Sequence, residues 1–169
     1  MLWEKIKRRY NHIMIRKLEE RDLQQLCELS TETFKGESWN KEQFQSAIKQ
    51  NFCIGFFDDE KLVSFLIAEN LIDDFNILLI ATKEEFKNKH IASSLLKTLE
   101  DECKILNINK IWLEVKSTNL IAQKFYEKHN FKQIYVRKKY YNNGEDAIIL
   151  EKKLWKNIKN GIFCHFCCF

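Results

Sequence analysis

A glutamate between two apolar residues is the first feature of this chain that suits acid–base chemistry. Glu114 stands between Leu113 and Val115 near the end of a predicted buried strand, so its side chain is expected on the opposite face from those two. A carboxylate that loses water has a raised pKa, which suits a general base. An exposed glutamate on a half-buried strand is the alternative interpretation of the same pattern.

A basic loop before a long predicted helix suits the binding of an anion. The loop reads Lys87-Asn88-Lys89-His90-Ile91-Ala92 and follows a predicted central strand. The free N–H groups in the first turn of a helix and the helix dipole both favour a negative charge there. Two lysines beside them suit a diphosphate or a similar group, whereas a merely solvated basic loop is the alternative.

No metal chemistry is expected, although cysteines crowd the end of the chain. The run Cys164-His165-Phe166-Cys167 has the spacing of two zinc ligands with a histidine between them. No second Cys/His pair lies upstream to complete a tetrahedral site, so no bound metal is predicted.

The hydrophobic periodicity predicts a mixed α/β order that would position both features. Strands are predicted over residues 12–16, 52–57, 62–68, 77–81, 110–115, 131–138 and 147–154, and helices after Asp22 and Asn40, over 91–106 and over 119–129. The run at 77–81 lacks alternation, which predicts a central strand buried on both faces. Hairpin connections between other strands exclude a purely parallel sheet.

Length and composition indicate a single globular domain. The chain has 169 residues, of which 45% are hydrophobic and 31% charged, values that argue against disorder. No apolar run is long enough to span a membrane, and the first residues lack the apolar segment of a signal peptide, so a cytoplasmic protein is expected. The net charge of +4 is too small to predict DNA binding. A monomer is the expected state.

Several local motifs occur in the order that one known family shows. They are IWLEVKSTN at 111–119, YEK at 126–128 with a following Phe131, VRKKYY at 136–141, EDAI at 145–148, and SWN at 38–40 before Phe44. With these motifs the chain resembles the GNAT N-acetyltransferases, and among them the RimI type, which acetylates a ribosomal protein. The resemblance covers a domain at 14–154. Residues 1–13 are then a basic extension, and residues 155–169 a tail rich in Cys and Phe.

The resemblance implies a fold and a place for a cofactor. The fold is one domain of about seven strands, with a V-shaped opening between the fourth and fifth strands and helices on both faces. Acetyl-CoA would lie in this opening, with its pantetheine arm along the backbone of Ile80, Ala81 and Thr82. The loop at 87–92 would hold the pyrophosphate, and Asn119 would also contact the cofactor.

The resemblance also implies a reaction. Glu114 would be the general base, acting through water, and Tyr126 the general acid beside the departing thiolate. Acetyl would pass by direct attack in a ternary complex to the N-terminal α-amino group of a protein, with a ribosomal protein as the acceptor and no metal. The candidates for the peptide pocket are Trp39, Tyr140 and Tyr141, although aromatic residues in loops also form the edges of cores.

One departure from the family pattern lies in the phosphate loop. His90 stands where the family has its first glycine, and a positive φ there would cost a histidine about 1 to 3 kcal/mol. Its Cβ would also crowd a phosphate, which predicts weakened acetyl-CoA binding, although the imidazole is an alternative hydrogen-bond donor. Two other functions stay open: acetylation of a small amine or a lysine side chain, and a degenerate fold that acts as a binding module.

Overall fold

A seven-stranded mixed sheet forms the frame of the domain. The computed structural model describes residues 13–36 and 38–154, and its strands are β1 (Ile13–Lys17), β2 (Phe52–Asp58), β3 (Lys61–Asn70), β4 (Phe75–Thr82), β5 (Lys110–Lys116), β6 (Lys132–Arg137) and β7 (Ala147–Lys153). Their order across the sheet is β1-β2-β3-β4-β5-β7-β6. Only β4 and β5 are parallel, and the other neighbours are antiparallel. The predicted α/β fold, with β4 at its centre, is confirmed.

Two helices cover each face of this sheet. Helices α1 (Leu23–Phe34) and α2 (Lys41–Gln50) pack on one face, and α3 (Ile91–Leu106) and α4 (Leu120–Lys128) pack on the other. Each pair of helices lies over its own apolar cluster, so the sheet is the middle of three layers. In the described part of the chain, no helix has the length and apolar content needed to cross a membrane.

The sheet opens between β4 and β5. These strands pair only from Phe75 with Ile111 to Ile77 with Leu113. The next residue, Leu78, is an extra residue in β4 because Ile77 and Leu79 pair with consecutive residues of β3. A β-bulge bends its strand, so residues 79–82 turn away from β5. The V-shaped opening is thereby confirmed, and it leaves residues 78–80 half-buried where burial on both faces was predicted.

The two predicted helix starts are built differently. Asn40 caps α2 as predicted. Its Oδ1 accepts a hydrogen bond from the Gln43 N–H at 2.8 Å, and the Gln43 Oε1 accepts one from the Asn40 N–H at 2.9 Å. Asp22 precedes α1, but its side chain does not cap that helix. The buried carboxylate accepts two hydrogen bonds from the Arg16 guanidinium, at 2.6 and 2.7 Å, and one from the Glu19 N–H at 2.9 Å. Asp22 therefore ties the start of α1 to β1.

This ion pair predicts a pH-dependent contribution to stability. Burial alone would raise the pKa of Asp22, but the bonds from Arg16 and the Glu19 N–H outweigh burial and lower it. Asp22→Asn should therefore reduce the free energy of unfolding at pH 7 by about 2 kcal/mol. The wild-type advantage should be complete above the unfolded carboxyl pKa of about 3.9 and be lost as pH falls through the lower folded value.

Urea unfolding of both proteins from pH 7 down to pH 3 measures this difference. Glu20→Gln is the matched control, because Glu20 forms an exposed ion pair with Lys49 and should matter little. A deficit for Asp22→Asn that stays constant down to pH 3 would mean that packing, not charge, makes residue 22 important.

The predicted terminal segments lie outside the described residues, except for Ile13, which begins β1. The run from Cys164 to Cys167 is among those undescribed residues. Across 13–36 and 38–154, no three His, Cys, Asp or Glu side chains come together in a group that could hold a metal ion.

Candidate active site

The alternation of β5 places Glu114 on the face of the sheet that also carries α1 and α2. Ile111, Leu113 and Val115 point into the apolar cluster under α3 and α4, so Glu114 points to the other side, as the sequence predicts. Its side chain keeps 19% of its exposure there. A half-buried carboxylate that can still be reached is suited to exchange a proton with a bound ligand.

Glu114 has two partners on that face. Arg137 forms an ion pair with its carboxylate, and a hydrogen bond to Glu114 is the main cause that raises the pKa of the Tyr140 hydroxyl. The guanidinium carbon of Arg137 also lies 5.2 Å from the centre of the Tyr140 ring. The carboxylate is therefore paired with a cation and lies near a phenol, an arrangement that the sequence does not predict.

Arg137 reaches Glu114 from two strands away. It lies at the end of β6, beyond the intervening strand β7, where Ala147 pairs with both Arg137 and Lys116. The small alanine leaves room for the long arginine side chain to cross the strand. Arg137 is in the VRKKYY motif, but only the β5-β7-β6 order shows that it shares a face with Glu114.

Tyr126 lies on the opposite face of β5. It is 4% exposed and packs with Leu113 and Val115 in the cluster under α3 and α4. The rings of Phe125 and Phe131 have their centres 5.2 and 5.3 Å from its own. Burial raises the pKa of Tyr126, so its hydroxyl keeps its proton throughout the neutral range and can act as a donor.

The predicted phosphate loop takes up a left-handed conformation at two positions. After the turn Glu84–Phe86, Asn88 has φ +59° and His90 has φ +61°, and α3 begins at Ile91. The His90 carbonyl accepts the N–H and the hydroxyl of Ser94 at 3.0 and 3.1 Å, while its imidazole is exposed. The positive φ expected of a glycine at position 90 is thus adopted by a histidine.

The donors around this loop are those that a diphosphate requires. Residues 91–93 are the first turn of α3, whose N–H groups have no carbonyl partner within the helix. Lys87 contacts Glu84 at 2.5 Å, and the Lys89 ammonium lies 4.8 Å from the centre of the Phe86 ring. The loop therefore offers backbone donors and the positive end of the helix dipole, with two lysines in the same short segment.

The edge of β4 beside the opening offers backbone groups to a ligand. On the β3 side, the Ala81 carbonyl accepts the Ser64 hydroxyl at 2.6 Å and the Lys83 N–H donates to Val63 at 2.9 Å. Backbone groups alternate along a strand, so Ile80 and Thr82 direct theirs toward the opening. Of the three predicted strand residues, Ala81 faces β3 and the other two face the opening.

Asn119 stands at the start of α4, next to the end of β5. Its Oδ1 accepts the Ala122 N–H at 3.0 Å and so caps the helix. This bond orients the side chain and leaves its NH2 group as the part that would meet a ligand.

The three predicted pocket aromatics occupy two places. Trp39 packs on Phe44 beside α2, with ring centres 5.5 Å apart. Tyr140 and Tyr141 pack on each other at 5.3 Å in the β6–β7 loop, and Tyr140 is 47% exposed. The Lys116 ammonium lies 5.2 Å from the centre of the Tyr141 ring. The structure thus brings the two tyrosines to Glu114 and its strand, and Trp39 to the start of α2.

Comparison with known proteins decides the family. Residues 21–131 match the acetyltransferase (GNAT) family. The chain belongs to this family. It is 31% identical over 99 residues to the ribosomal protein bS18-alanine N-acetyltransferase of Haemophilus ducreyi, a match that covers 56% of this chain and 68% of that protein.

Two solved structures have a fold similar to that of this GNAT chain. The ribosomal-protein-S18-alanine N-acetyltransferase of Escherichia coli superposes with a TM-score of 0.80 at 25% identity, over 90% of this chain and all of that one. The PaiA N-acetyltransferase of Thermoplasma acidophilum, solved with coenzyme A, has a TM-score of 0.67 at 25% identity, over 84% and 99% of the two chains. This GNAT chain is accordingly an acetyltransferase that uses acetyl-CoA, which confirms the predicted enzyme class and cofactor.

His90 predicts an unusual affinity of this GNAT enzyme for its cofactor. His90 already has its left-handed conformation in the folded chain, so the backbone cost lowers the free energy of unfolding. Only the crowding of the phosphate by the His90 Cβ weakens cofactor binding. Coenzyme A should bind with a Kd in the micromolar range or weaker, about −8 kcal/mol. His90→Gly should tighten binding about three- to tenfold, a gain of roughly 1 kcal/mol.

Calorimetry of coenzyme A binding to wild type and His90→Gly measures this gain. Asn88→Gly is the matched control, since it also removes a Cβ at a positive φ in the same loop but not at the glycine position of the family. Equal gains in both variants would assign the effect to loop flexibility. Weaker binding by His90→Gly would show that the imidazole itself holds the cofactor.

Proposed function

We propose that this GNAT enzyme acetylates the N-terminal α-amino group of a protein in a ternary complex, with a ribosomal protein as the acceptor. The observation that carries the proposal is the placement of the accessible Glu114 carboxylate and the exposed Tyr140 on the same side of the sheet. A peptide terminus can lie along that face with its amine at the carboxylate. The similarity to ribosomal-protein-alanine acetyltransferases supports the choice of acceptor. A cytoplasmic, monomeric enzyme is part of the proposal.

Glu114 is proposed to handle the proton of the acceptor. An α-ammonium group has a pKa of about 7.7 to 8.0, so a carboxylate suffices to expose its lone pair near neutral pH. The acceptor ammonium and the Arg137 guanidinium are both cations, and each can form an ion pair with the Glu114 carboxylate. We expect the incoming ammonium to compete with Arg137 for the carboxylate and to replace its charge there. Tyr140 would then hold the carboxylate from the other side.

Tyr126 is proposed to act on the departing sulfur. Bound acetyl-CoA supplies an activated acetyl thioester. Tyr126 holds its proton because burial raises its pKa, and it packs in the apolar cluster on the face of β5 opposite Glu114. One residue therefore withdraws a proton on the acceptor side of the strand, and the other donates a proton on the thiol side. Because Tyr126 and Glu114 lie on opposite faces of β5, neither passes its proton directly to the other.

The remaining predicted residues are proposed to hold the cofactor. Ile80 and Thr82 would bond the pantetheine arm along the free edge of β4, and Asn119 would reach it from α4. The loop from Lys87 to Ala92 would hold the pyrophosphate with its backbone donors and its cations. The divergence of β4 from β5 after Ile77 makes the room for the arm.

Mass spectrometry of peptides incubated with acetyl-CoA tests the proposed acceptor. A peptide with the N-terminal sequence of the bS18 protein from the same genome should gain one acetyl group at its α-amine. The matched control has the same sequence with a blocked N-terminus and an internal lysine, and spermidine serves as a small amine. Acetylation of the lysine or of spermidine at a comparable rate would replace the proposed function with one of the other acetyltransferase functions. Tight cofactor binding without any transfer would favour a binding module.

A further inference from the structure

A histidine outside the predicted site is bonded to the helix that begins at the phosphate loop. His129 follows the last residue of α4, and its Nε2 lies 2.9 Å from the Oγ of Ser93 in the first turn of α3. The ring of Phe125 packs against the imidazole, with centres 4.7 Å apart. One side-chain hydrogen bond thus joins the end of α4 to the predicted pyrophosphate site.

Titratable groups from three other parts of the fold act electrostatically on this imidazole. They are Lys152 on β7, Glu100 on α3 and His90 in the loop. Lys152 and Glu100 also bond each other at 2.6 Å and are nearly buried. Burial lowers the pKa of His129 most, Lys152 and His90 lower it further, and Glu100 opposes them. The ring is therefore neutral at pH 7 and takes up a proton at lower pH.

The proton on His129 decides what Ser93 can offer to an anion. This effect requires the neutral tautomer with its hydrogen on Nδ1, in which Nε2 accepts a hydrogen bond from the Ser93 hydroxyl and so occupies its hydrogen. With both ring nitrogens protonated, Nε2–H donates to the Ser93 oxygen, which frees the hydroxyl hydrogen for another acceptor. The imidazolium also adds a positive charge beside the positive end of the α3 dipole. That charge is disfavoured by itself and favoured when an anion is bound.

We propose, on the basis of the pyrophosphate placement proposed above, that His129 acts through Ser93 to link cofactor binding to the uptake of a proton. His129 is then a positioning residue for the cofactor, not a catalytic one. Its protonated form and the bound diphosphate stabilise each other, so the cofactor binds more tightly as pH falls from about 7.5 to 5.5. By reciprocity, the bound diphosphate makes His129 easier to protonate.

Calorimetry with dephospho-coenzyme A tests this link without interference from the ligand. The phosphate monoester of coenzyme A itself titrates at about pH 6, whereas dephospho-coenzyme A keeps only the diphosphate. The wild-type affinity should rise about fivefold between pH 7.5 and pH 5.5. This factor is at the low end of the range by which binding at one site usually changes affinity at another. Titrations at pH 6 in buffers of different ionisation enthalpy should show uptake of a fraction of a proton.

Three variants identify the group that is responsible. His129→Gln keeps a hydrogen-bonding side chain beside Ser93 but cannot be protonated, and it should lose most of the pH dependence while binding within threefold of wild type at pH 8. Ser93→Ala should lose it as well. His90→Gln is the matched comparison, because it removes the other imidazole near the loop, and it should keep the pH dependence. Melting temperatures within a few degrees of wild type show that the variants fold.

Two outcomes overturn the proposal. One concerns the pH dependence. The proposal fails if the wild-type affinity does not change with pH, if the affinity of His129→Gln still changes with pH, or if only His90→Gln loses the change. The other concerns the site, tested with Ala92→Asp, which places a carboxylate in the first turn of α3. An acidic residue there is tolerated by the helix but repels a diphosphate. If Ala92→Asp binds dephospho-coenzyme A as wild type does, the pyrophosphate lies elsewhere, and the placement and the proton link both fail.

Discussion

Replacing Glu114 with glutamine should lower kcat by about 10²- to 10⁴-fold at pH 7, the usual contribution of a general base. The substitution keeps the size and an acceptor oxygen near Tyr140, but it removes the charge that Arg137 and an ammonium would share. The loss should shrink as pH rises above the acceptor's ammonium pKa of about 7.7 to 8.0, because a free amine needs no base. Coenzyme A affinity should change little, since Glu114 is proposed to act on the acceptor and not to hold the cofactor.

Steady-state rates from pH 6 to pH 9.5 measure this dependence. Glu151→Gln is the matched control, because Glu151 pairs with Trp112 across β5 and β7 and lies on the same face as Glu114, and its rate should stay within twofold of wild type. A loss for Glu114→Gln that is the same at every pH, or that is below about threefold, would mean that this carboxylate only orders Arg137 and Tyr140.

Replacing Tyr126 with phenylalanine should also lower kcat by about 10²- to 10⁴-fold, through loss of the proton donor. This loss should not shrink as pH rises from 6 to 9.5, because burial raises the pKa of Tyr126 and its hydroxyl stays protonated throughout. The ring contacts with Phe125 and Phe131 are kept, so the melting temperature should stay close to wild type. The two catalytic substitutions therefore have different pH profiles.

Pre-steady-state and steady-state rates of Tyr126→Phe at both ends of this pH range provide the comparison. Tyr135→Phe removes an exposed hydroxyl from β6 and should leave the rate within twofold of wild type. If Tyr126→Phe regains activity at high pH as Glu114→Gln does, the two residues serve one proton path. If its kcat is unchanged, the thiolate leaves without help from this hydroxyl.

Local patterns in the sequence predict much of the fold and part of the site. The alternation at 111–115 predicts which way Glu114 points, because successive side chains of a strand always face opposite sides. The Asn40 and Gln43 pair predicts the start of α2, because both bonds of a capping box span only three residues. These features depend on spacing along the chain, and chain geometry sets that spacing in any fold. The basic loop before α3 is predicted as an anion site in the same way, whereas the positive φ at His90 is expected only from the resemblance to the family, which has a glycine there.

The contacts of the candidate catalytic groups are decided by the tertiary structure alone. Arg137 meets Glu114 only because β7 lies between their strands and places a small residue, Ala147, under the crossing side chain. The β-bulge at Leu78 separates β4 from β5, and His129 bonds Ser93 across 36 positions of the chain. Each of these depends on strand order, register and helix placement, which follow from burying the whole apolar surface at once and not from any local run of residues. The sequence thus determines which groups this enzyme has available, and the sheet determines which of them meet.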